Sequence, residues 1–414
     1  MTVANRLLRF GVVGLGHGSQ GVIRELAQHP NVKVAAAADL RSEARVQFER
    51  QFGGETFSSV EDLCKSQAVD AVYIMTPNHL HAEHAVIAAD HKKQIITTKP
   101  MALTLANCDA MIDAAERNGV RLLAGTTPAF TAPIQEMAGI VASGRLGKLL
   151  MINTWHFIEW LYRPRMQDEL DPTRGGGVVF RQGTHQADIL RTIGGGMVRS
   201  VRGKTTIADP ARPVEGSYTC HLEFEDGASA TMVFSGYAHY DDSDLNYGIG
   251  EGGRQRDPGT NLNARAHIRS FIRPQDEWSY KNGFRFGGGN NAEDPIYGPT
   301  GYGAAVERAQ QFFGITLVSC ERGDIRQTPQ GLKVFGNEEV TEVPLPKPTA
   351  PFRRQEIDLL YEAWINDTPL AAHDGRWGKA TLEVCLALLQ SSMERQEVTL
   401  KHQVPYRTQW HSAG

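Results

Sequence analysis

The chain is 414 residues long, with 41% hydrophobic and 22% charged residues, which is more than a single core usually serves, so two domains are expected. A formal net charge of −4 gives no general attraction to nucleic acid or an anionic membrane, and no apolar run approaches membrane-spanning length.

The first element is an apolar strand, Arg9 to Val13, followed by a glycine turn from Gly14 to Gly21 and by Val22, Ile23 and Leu26 at helical spacing until Pro30. Strand, glycine turn and helix in this order form a cradle for a dinucleotide pyrophosphate. Gly14 supplies the tight turn, Gly16 lets the backbone approach phosphate, and the N–H groups that open the helix face the anion. Ser19 takes the third glycine position of that motif, and His17, Gly18 and Ser19 complete the candidate loop. A second strand, Val32 to Ala38, ends at Asp39, whose carboxylate would accept from the ribose hydroxyls and so favours NAD. Arg41 and Arg45 are near enough to neutralise a 2′-phosphate, which keeps NADP as the alternative.

Further strands are expected at Ala71 to Met75, Gln94 to Thr97 and Val120 to Ala124, with helices at Ser42 to Gln51, His81 to Ala89 and Leu105 to Asn118. This alternation implies an α/β fold with a doubly wound parallel sheet and ligands at the carboxyl ends of the strands. Thr76-Pro77-Asn78-His79-Leu80-His81 and Thr97-Thr98-Lys99-Pro100 fall at two such ends, making Thr76, Pro77, Asn78, His81 and Lys99 candidates for the cofactor edge. Lys99 can stabilise a developing alkoxide there; taken alone, it reads as a surface lysine. His79, His81 and His84 lack the spacing and companion ligands of a metal site, so no metal is expected.

Beyond Gly125, one helix, Pro133 to Ser143, precedes strand-like runs at Lys148 to Phe157, Val198 to Ile207, Tyr218 to Phe224 and Ser229 to Phe234. These predict a second, α/β domain with a large, mostly antiparallel open sheet. The domains are therefore residues 1–126 and 127–414, the latter with a long polar insertion at about 235–300 that reads as an ordered excursion or lid, or as a partly mobile segment. Strands resume around Phe312 to Leu332, and helices at Arg354 to Trp364 and Gly378 to Met393 close the chain. Five scattered cysteines without a C-x-x-C pair fit reduced, packed thiols, and no signal-peptide pattern precedes the first strand, so a cytoplasmic protein is the expectation.

Chemistry in the second domain concentrates between Gly175 and Gly195. Three glycines lead into a helix whose Ile189, Leu190 and Ile193 face the core, and helical spacing puts Arg181, His185 and Asp188 on one face. A histidine titrates near neutrality, so His185 could take a hydroxyl proton while hydride leaves the same carbon; a lone helical histidine is also commonly structural. Arg163, Arg165, Arg174 and Arg181 crowd the same segment as candidates for binding an anion, the alternative being an ion network with Asp168, Glu169 and Asp171.

Gly14-x-Gly16, Thr76-Pro77-Asn78-x-x-His81, Lys99-Pro100, Ser143-Gly-Arg-Leu-Gly147 and Gly175-Gly-Gly…Gly183-x-His185-x-x-Asp188, in this order, resemble the Gfo/Idh/MocA oxidoreductases over nearly the whole chain. The resemblance implies a Rossmann domain followed by an α/β domain, a homo-oligomer (dimer or tetramer) joined through the open sheet, and hydride transfer between nicotinamide and a hydroxyl-bearing carbon. It carries catalytic roles over to Lys99 and His185. Two positions depart from the pattern, Thr98 where the family has glutamate and Arg181 where it has aspartate. Trp160-Leu-Tyr-Arg-Pro-Arg-Met166, Arg181-Gln-Gly-Thr-His-Gln186 and His373-Asp-Gly-Arg-Trp-Gly378 look like the branch that contains cis-4,5-dihydrodiol phthalate dehydrogenases. That branch implies a small anionic cyclic diol as substrate. Dehydrogenation of another cyclic polyol or sugar acid, NAD-using glycosidase chemistry, and cofactor sensing without catalysis are the alternatives.

Overall fold

A computed structural model of the protein describes residues 6–125, 127–289, 308–348 and 353–406. The chain divides into two units. The first comprises Met1–Thr126 with the later segments Ser279–Ala305 and Ala350–Lys379, and the second comprises Thr127–Trp278, Val306–Thr349 and Ala380–Gly414. A contiguous second domain from 127 onward therefore needs correction. Helix Arg353–Ile365, for example, packs against the first helix of the chain, and Tyr73 donates to its Glu356 at 2.5 Å.

Six strands form the sheet of the first unit: β1 (Leu8–Val13), β2 (Val32–Ala38), β3 (Glu55–Phe57), β4 (Ala71–Ile74), β5 (Gln94–Thr98) and β6 (Leu122–Gly125). All neighbours are parallel, in the order β3-β2-β1-β4-β5-β6. The helices between them are α1 (Ser19–Gln28), α2 (Ser42–Phe52), α3 (Val60–Lys65), α4 (His81–Asp90) and α5 (Leu105–Asn118). A sheet covered on both faces buries its strands almost continuously, as β1, β4 and β5 do here. Local chemistry sets the helix ends: Ser59 and Thr104 cap α3 and α5 through their side chains, and Gly53 and Gly119 end α2 and α5 in the left-handed conformation. The strand order reverses between β1 and β4, which opens a crevice at their carboxyl ends where such sheets bind ligands.

The second unit carries a nine-stranded sheet of β7 (Leu149–Phe157), β8 (Val198–Thr206), β9 (Ser217–Phe224), β10 (Ser229–Ser235), β11 (Ile315–Cys320), β12 (Gly323–Thr328), β13 (Gly331–Gly336), β14 (Val340–Pro344) and β15 (Val398–Thr399). Its order is β14-β13-β12-β11-β7-β10-β9-β8-β15, antiparallel except for the β7–β10 pair. Helices α6 (Ala132–Ala142) and α7 (Thr184–Ile193) cover one face, and Ile152, Leu190, Leu222, Phe224, Met232 and Phe234 fill the core with them. The strands alternate accordingly. Met151 and Trp155 are 45% and 46% exposed on the other face of β7.

The long polar insertion is an ordered excursion in its described part, up to residue 289. It holds a 3₁₀ turn at Asp242–Asn246 and helices α8 (Thr260–Ser270) and α9 (Pro274–Gly283). The remainder of the expected 235–300 segment lies outside the described residues. Two helices close the fold, α10 (Arg353–Ile365) and α11 (Gly375–Glu394). All five cysteines are buried free thiols, and no described helix is long and apolar enough to cross a membrane.

Candidate active site

The glycine turn is shaped as a cradle. Gly14 has φ +92, and a Cβ there would lie 2.9 Å from the Met75 carbonyl oxygen, so no other residue fits. At Gly16 the missing Cβ would meet nothing within 4 Å, leaving an open face over the loop. Gly18 caps α1 without a side-chain bond, so no side chain competes with an anion for the N–H groups at the start of the helix, although the Gln20 N–H donates to the His17 carbonyl at 3.3 Å. Ser19 is not part of that face. Its hydroxyl is buried and donates to the Gly16 carbonyl at 2.7 Å, bracing the loop rather than meeting a ligand.

Asp39 closes the other end of the cradle. Its Oδ2 accepts from the Leu15 N–H at 2.8 Å, and its Oδ1 accepts from the Arg41 N–H at 2.9 Å and Nε at 3.1 Å. Arg41 also donates to the carbonyls of Leu15 (2.7 Å) and Phe286 (3.2 Å), while Arg45 donates to those of Asp39 (2.7 Å) and Leu40 (3.0 Å). Both arginines that could neutralise a 2′-phosphate are thus spent on backbone carbonyls, and the Asp39 carboxylate stands at the end of β2, where a ribose would be expected. The open Gly16 face, the uncapped helix and Asp39 together fit NAD. The unmodified protein is expected to prefer NAD to NADP in kcat/KM, and Asp39→Ser to shift that ratio toward NADP by about tenfold, or 1.4 kcal/mol. Equal kcat/KM for the two cofactors in the unmodified protein would mean that Arg41 leaves its carbonyls for the phosphate.

A strap from the excursion borders this loop, and sequence reasoning missed it. The Phe284 carbonyl accepts from Gln20 Nε2 at 2.6 Å and lies 3.5 Å from His17 Nδ1, so His17 is turned to protein. Phe286 sets its ring 6.4 Å from those of Phe48 and Phe52 on α2. The signal was present as two aromatic residues, Phe284 and Phe286, in a polar stretch that otherwise has little reason to be ordered.

At the carboxyl ends of β4 and β5 the two sequence motifs meet. Asn78 is buried in the 3₁₀ turn Asn78–Leu80, Thr76, Pro77 and Lys99 are half-buried, and Lys99 follows β5 directly. Thr76 is held twice, by His84 Nδ1 on its hydroxyl at 2.9 Å and by His81 Nε2 on its carbonyl at 2.8 Å. Burial pushes the His84 pKa down, so its neutral ring can accept the Thr76 hydroxyl proton. His81, expected at the cofactor edge, is completely buried and turned to the carbonyls of Thr76 and Pro100. Among the described residues no cluster of three or more His, Cys, Asp or Glu is arranged to hold a metal.

In the second unit His185 is the second residue of α7 and is 8% exposed, with its ring 4.9 Å from that of Phe313 in an edge-on contact. The polar neighbours on α7 are pinned into the core. Gln186 donates to the carbonyls of Thr154 (3.3 Å) and Val233 (3.1 Å) and accepts from the Tyr218 hydroxyl, and Arg191 donates to Gln403 (2.9 Å) and Thr381 (2.7 Å). Asp188, expected to touch substrate, is 1% exposed and accepts from the hydroxyls of Thr127 (2.5 Å) and Thr381 (3.4 Å). It holds the helix instead. The chain enters α7 through a π-helical turn, Val179–Gly183, whose i→i+5 pattern breaks the one-turn spacing that would align Arg181 with His185; such turns are frequent at functional sites.

The arginine cluster is largely satisfied by its own acidic neighbours. Arg163 is buried between Glu159 (2.8 Å) and Glu251 (3.4 Å), and Arg165 lies over the Trp160 ring with Glu169 at 3.1 Å. Neither presents its charge to a ligand, which corrects the sequence expectation for both. Arg174 is exposed and only 3.6 Å from Asp171. Arg181 donates to Asp168 at 3.0 Å and to the Gly175 carbonyl at 3.2 Å while staying 18% exposed.

A second buried charge group, invisible in the sequence, supports the same region. His156 on β7 bonds Asp242 through Nδ1 at 2.8 Å and Glu251 through Nε2 at 3.3 Å, and its ring lies 4.7 Å from Phe313, the residue that contacts His185. Burial alone would lower the His156 pKa, but the two carboxylates outweigh it and hold it up at about 9.

The chain is similar to known proteins along most of its length. A family model described as "Oxidoreductase family, NAD-binding Rossmann fold" matches residues 8–126, and one described as "GFO/IDH/MocA C-terminal domain" matches residues 134–253. The 1-carboxy-3-chloro-3,4-dihydroxycyclo hexa-1,5-diene dehydrogenase of Comamonas testosteroni is 33% identical over 384 residues, 92% of this chain and 94% of that protein. A crystal structure from Bordetella bronchiseptica RB50 superposes with a TM-score of 0.86 at 36% identity, over 95% of this chain and 100% of that one. The WlbA dehydrogenase of Bordetella pertussis, solved with NADH and UDP-GlcNAcA, shares the fold at 20% identity with a TM-score of 0.68, over 96% and 99% of the two chains. With a Rossmann cradle, a second unit on an open sheet and these matches in hand, the chain belongs to the Gfo/Idh/MocA family of NAD-binding oxidoreductases.

Proposed function

We propose that the protein oxidises a cis-dihydrodiol of an aromatic carboxylate, the 4,5-dihydrodiol of phthalate being the specific case, to the corresponding catechol, 4,5-dihydroxyphthalate. The observation that carries this reading is Arg181, a cation in the turn leading to His185 at the position where the family has aspartate. The Comamonas relative, whose name describes a ring bearing a carboxylate and two adjacent hydroxyls, supports the same substrate class.

NAD, which the Gly14–Gly16 turn and Asp39 would hold, would supply the hydride acceptor for one carbinol carbon of the diol. His185 takes the proton of that hydroxyl, and the Lys99 ammonium stabilises the alkoxide as it forms. The product is a ring hydroxyketone, which enolises to the catechol as the proton of the adjacent carbinol carbon leaves and the ketone oxygen takes one up; the gain of aromaticity makes the oxidation one-way. Arg181 exchanges Asp168 for the substrate carboxylate, and the exposed Arg174 is available for a second. The open face of the nine-stranded sheet, with Met151 and Trp155, joins copies of the chain into a homo-oligomer.

The test is absorbance of NADH on mixing the protein with NAD and a phthalate-type dihydrodiol. Charge-assisted bonds contribute about 1.5–3 kcal/mol each, so Arg181→Ala is expected to raise KM for the dicarboxylate diol roughly ten- to hundredfold and for an uncharged cyclic diol much less. Equal turnover of neutral and carboxylated diols, with Arg181→Ala weakening both alike, would overturn the anionic-substrate reading.

A further inference from the structure

Two hydrogen bonds at the ends of β4 and β5 cannot both be made by a neutral ring. His81 Nδ1 lies 2.8 Å from the Pro100 carbonyl oxygen, and Nε2 lies 2.8 Å from the Thr76 carbonyl oxygen. Carbonyl oxygens only accept, and a neutral imidazole has a single N–H. It could serve one carbonyl but would face the other lone pair to lone pair. Only the imidazolium donates to both, and 2.8 Å is the length of a charge-assisted N–H···O bond. The Thr98 hydroxyl lies farther off, at 3.4 Å from Nε2, as a third oxygen around that nitrogen.

The placement of this ring gives it a task. The Thr76 carbonyl belongs to the turn that continues into Asn78, and the Pro100 carbonyl belongs to the turn that contains Lys99. The ring therefore ties together the two strand ends that carry the family's motifs. Burial and the positive end of α4 both oppose a charge at His81, so two good acceptors have to hold it; Glu83 in the same first turn of α4 offsets part of the dipole. His84, one turn further along α4, holds the same Thr76 from the hydroxyl side. Thr76 and Pro100 thus reach fixed positions through contacts that do not involve substrate.

We propose that His81 is a positioning residue, kept as a buried imidazolium that staples the Thr76 and Pro100 carbonyls together and so fixes the turn bearing Lys99. The kinetic consequence rests on the role given to Lys99 above; the protonation state does not. Nitrogen-15 NMR of the protein labelled at histidine, with His81 assigned by the signals lost in His81→Gln, reads both ring nitrogens directly. Two protonated nitrogens on one ring across about pH 6–8 are expected, and a single protonated nitrogen at neutral pH overturns the proposal whatever the enzyme's substrate. In the kinetic arm, His81→Phe keeps the ring volume but donates to neither carbonyl. A displacement of about 1 Å at a reacting group costs up to about 10²-fold, so kcat is expected to fall by up to about that factor while the dissociation constant for NADH, measured by fluorescence, changes little. Unaltered kcat, or a loss of NADH affinity matching the loss of kcat, would overturn the positioning role.

Discussion

His185→Ala is expected to lower kcat by about 10²- to 10⁴-fold, the usual cost of removing a positioned general base, with NADH affinity intact. The structure makes this a clean experiment. Helix α7 is held by Gln186, Asp188 and Arg191, each bonded into the core, so its position does not depend on the imidazole. The cofactor cradle belongs to the other unit. Lys99→Ala is expected to act on kcat in the same direction, because an alkoxide formed without the ammonium is higher in energy. Near-normal turnover in either variant, measured as NADH formation at saturating diol, would remove that residue from the mechanism.

His156→Phe is expected to produce the largest loss of stability of any single substitution considered. The phenyl ring fits the space beside Phe234 and Phe313 but leaves Asp242 and Glu251 without their shared cation, and breaking a buried pair in this way costs about 3–5 kcal/mol. The pH dependence has a definite sign. The folded-state pKa of about 9 lies above the ordinary value of 6.5, so the stabilisation is fully present below about pH 6.5 and is lost as pH rises through about 9. Thermal midpoints at pH 6.5, 8 and 9.5 should therefore fall steadily in the unmodified protein. In His156→Phe the midpoint should start low and lose that alkaline slope. A variant with an unmodified midpoint at pH 6.5 would show that the two carboxylates find other partners.

Most strands of both sheets were legible because they obey one simple rule, whereas the short or exposed β3, β14 and β15 were not expected. Continuous burial marks β1, β4 and β5, alternation marks β7, β9 and β10, and Gly14 announces a turn that no side chain could make. The Asp39 carboxylate was legible for the same reason, standing at the end of β2. What the sequence hid were partners. Arg163 and Arg165 look like a basic patch, yet Glu159, Glu251 and Glu169 neutralise them, and two of those three acids lie within a few residues of the arginines without revealing which way either side chain turns. His156 reads as an ordinary strand residue because Asp242 and Glu251 arrive from a polar excursion more than eighty positions later. Asp188 and His81 carry the motif but are buried against Thr127 and Thr381 and against the Pro100 and Thr76 carbonyls, since a motif records that a polar side chain is needed and not which partner it meets. The π-helical turn before α7 has no counterpart in spacing rules built on 3.6 residues per turn.

The five buried thiols make the native protein a silent background for cysteine chemistry. Burial holds the thiols of Cys64, Cys108 and Cys220 up at about 12, so at neutral pH they are neither accessible nor ionised, and an alkylating reagent should label them only after local or global unfolding. Cys64 and Cys108 belong to the first unit, and Cys220, Cys320 and Cys385 to the second. Mass spectrometry of the alkylated peptides along a denaturant series would therefore report the opening of each half of the molecule separately, with no engineered probe.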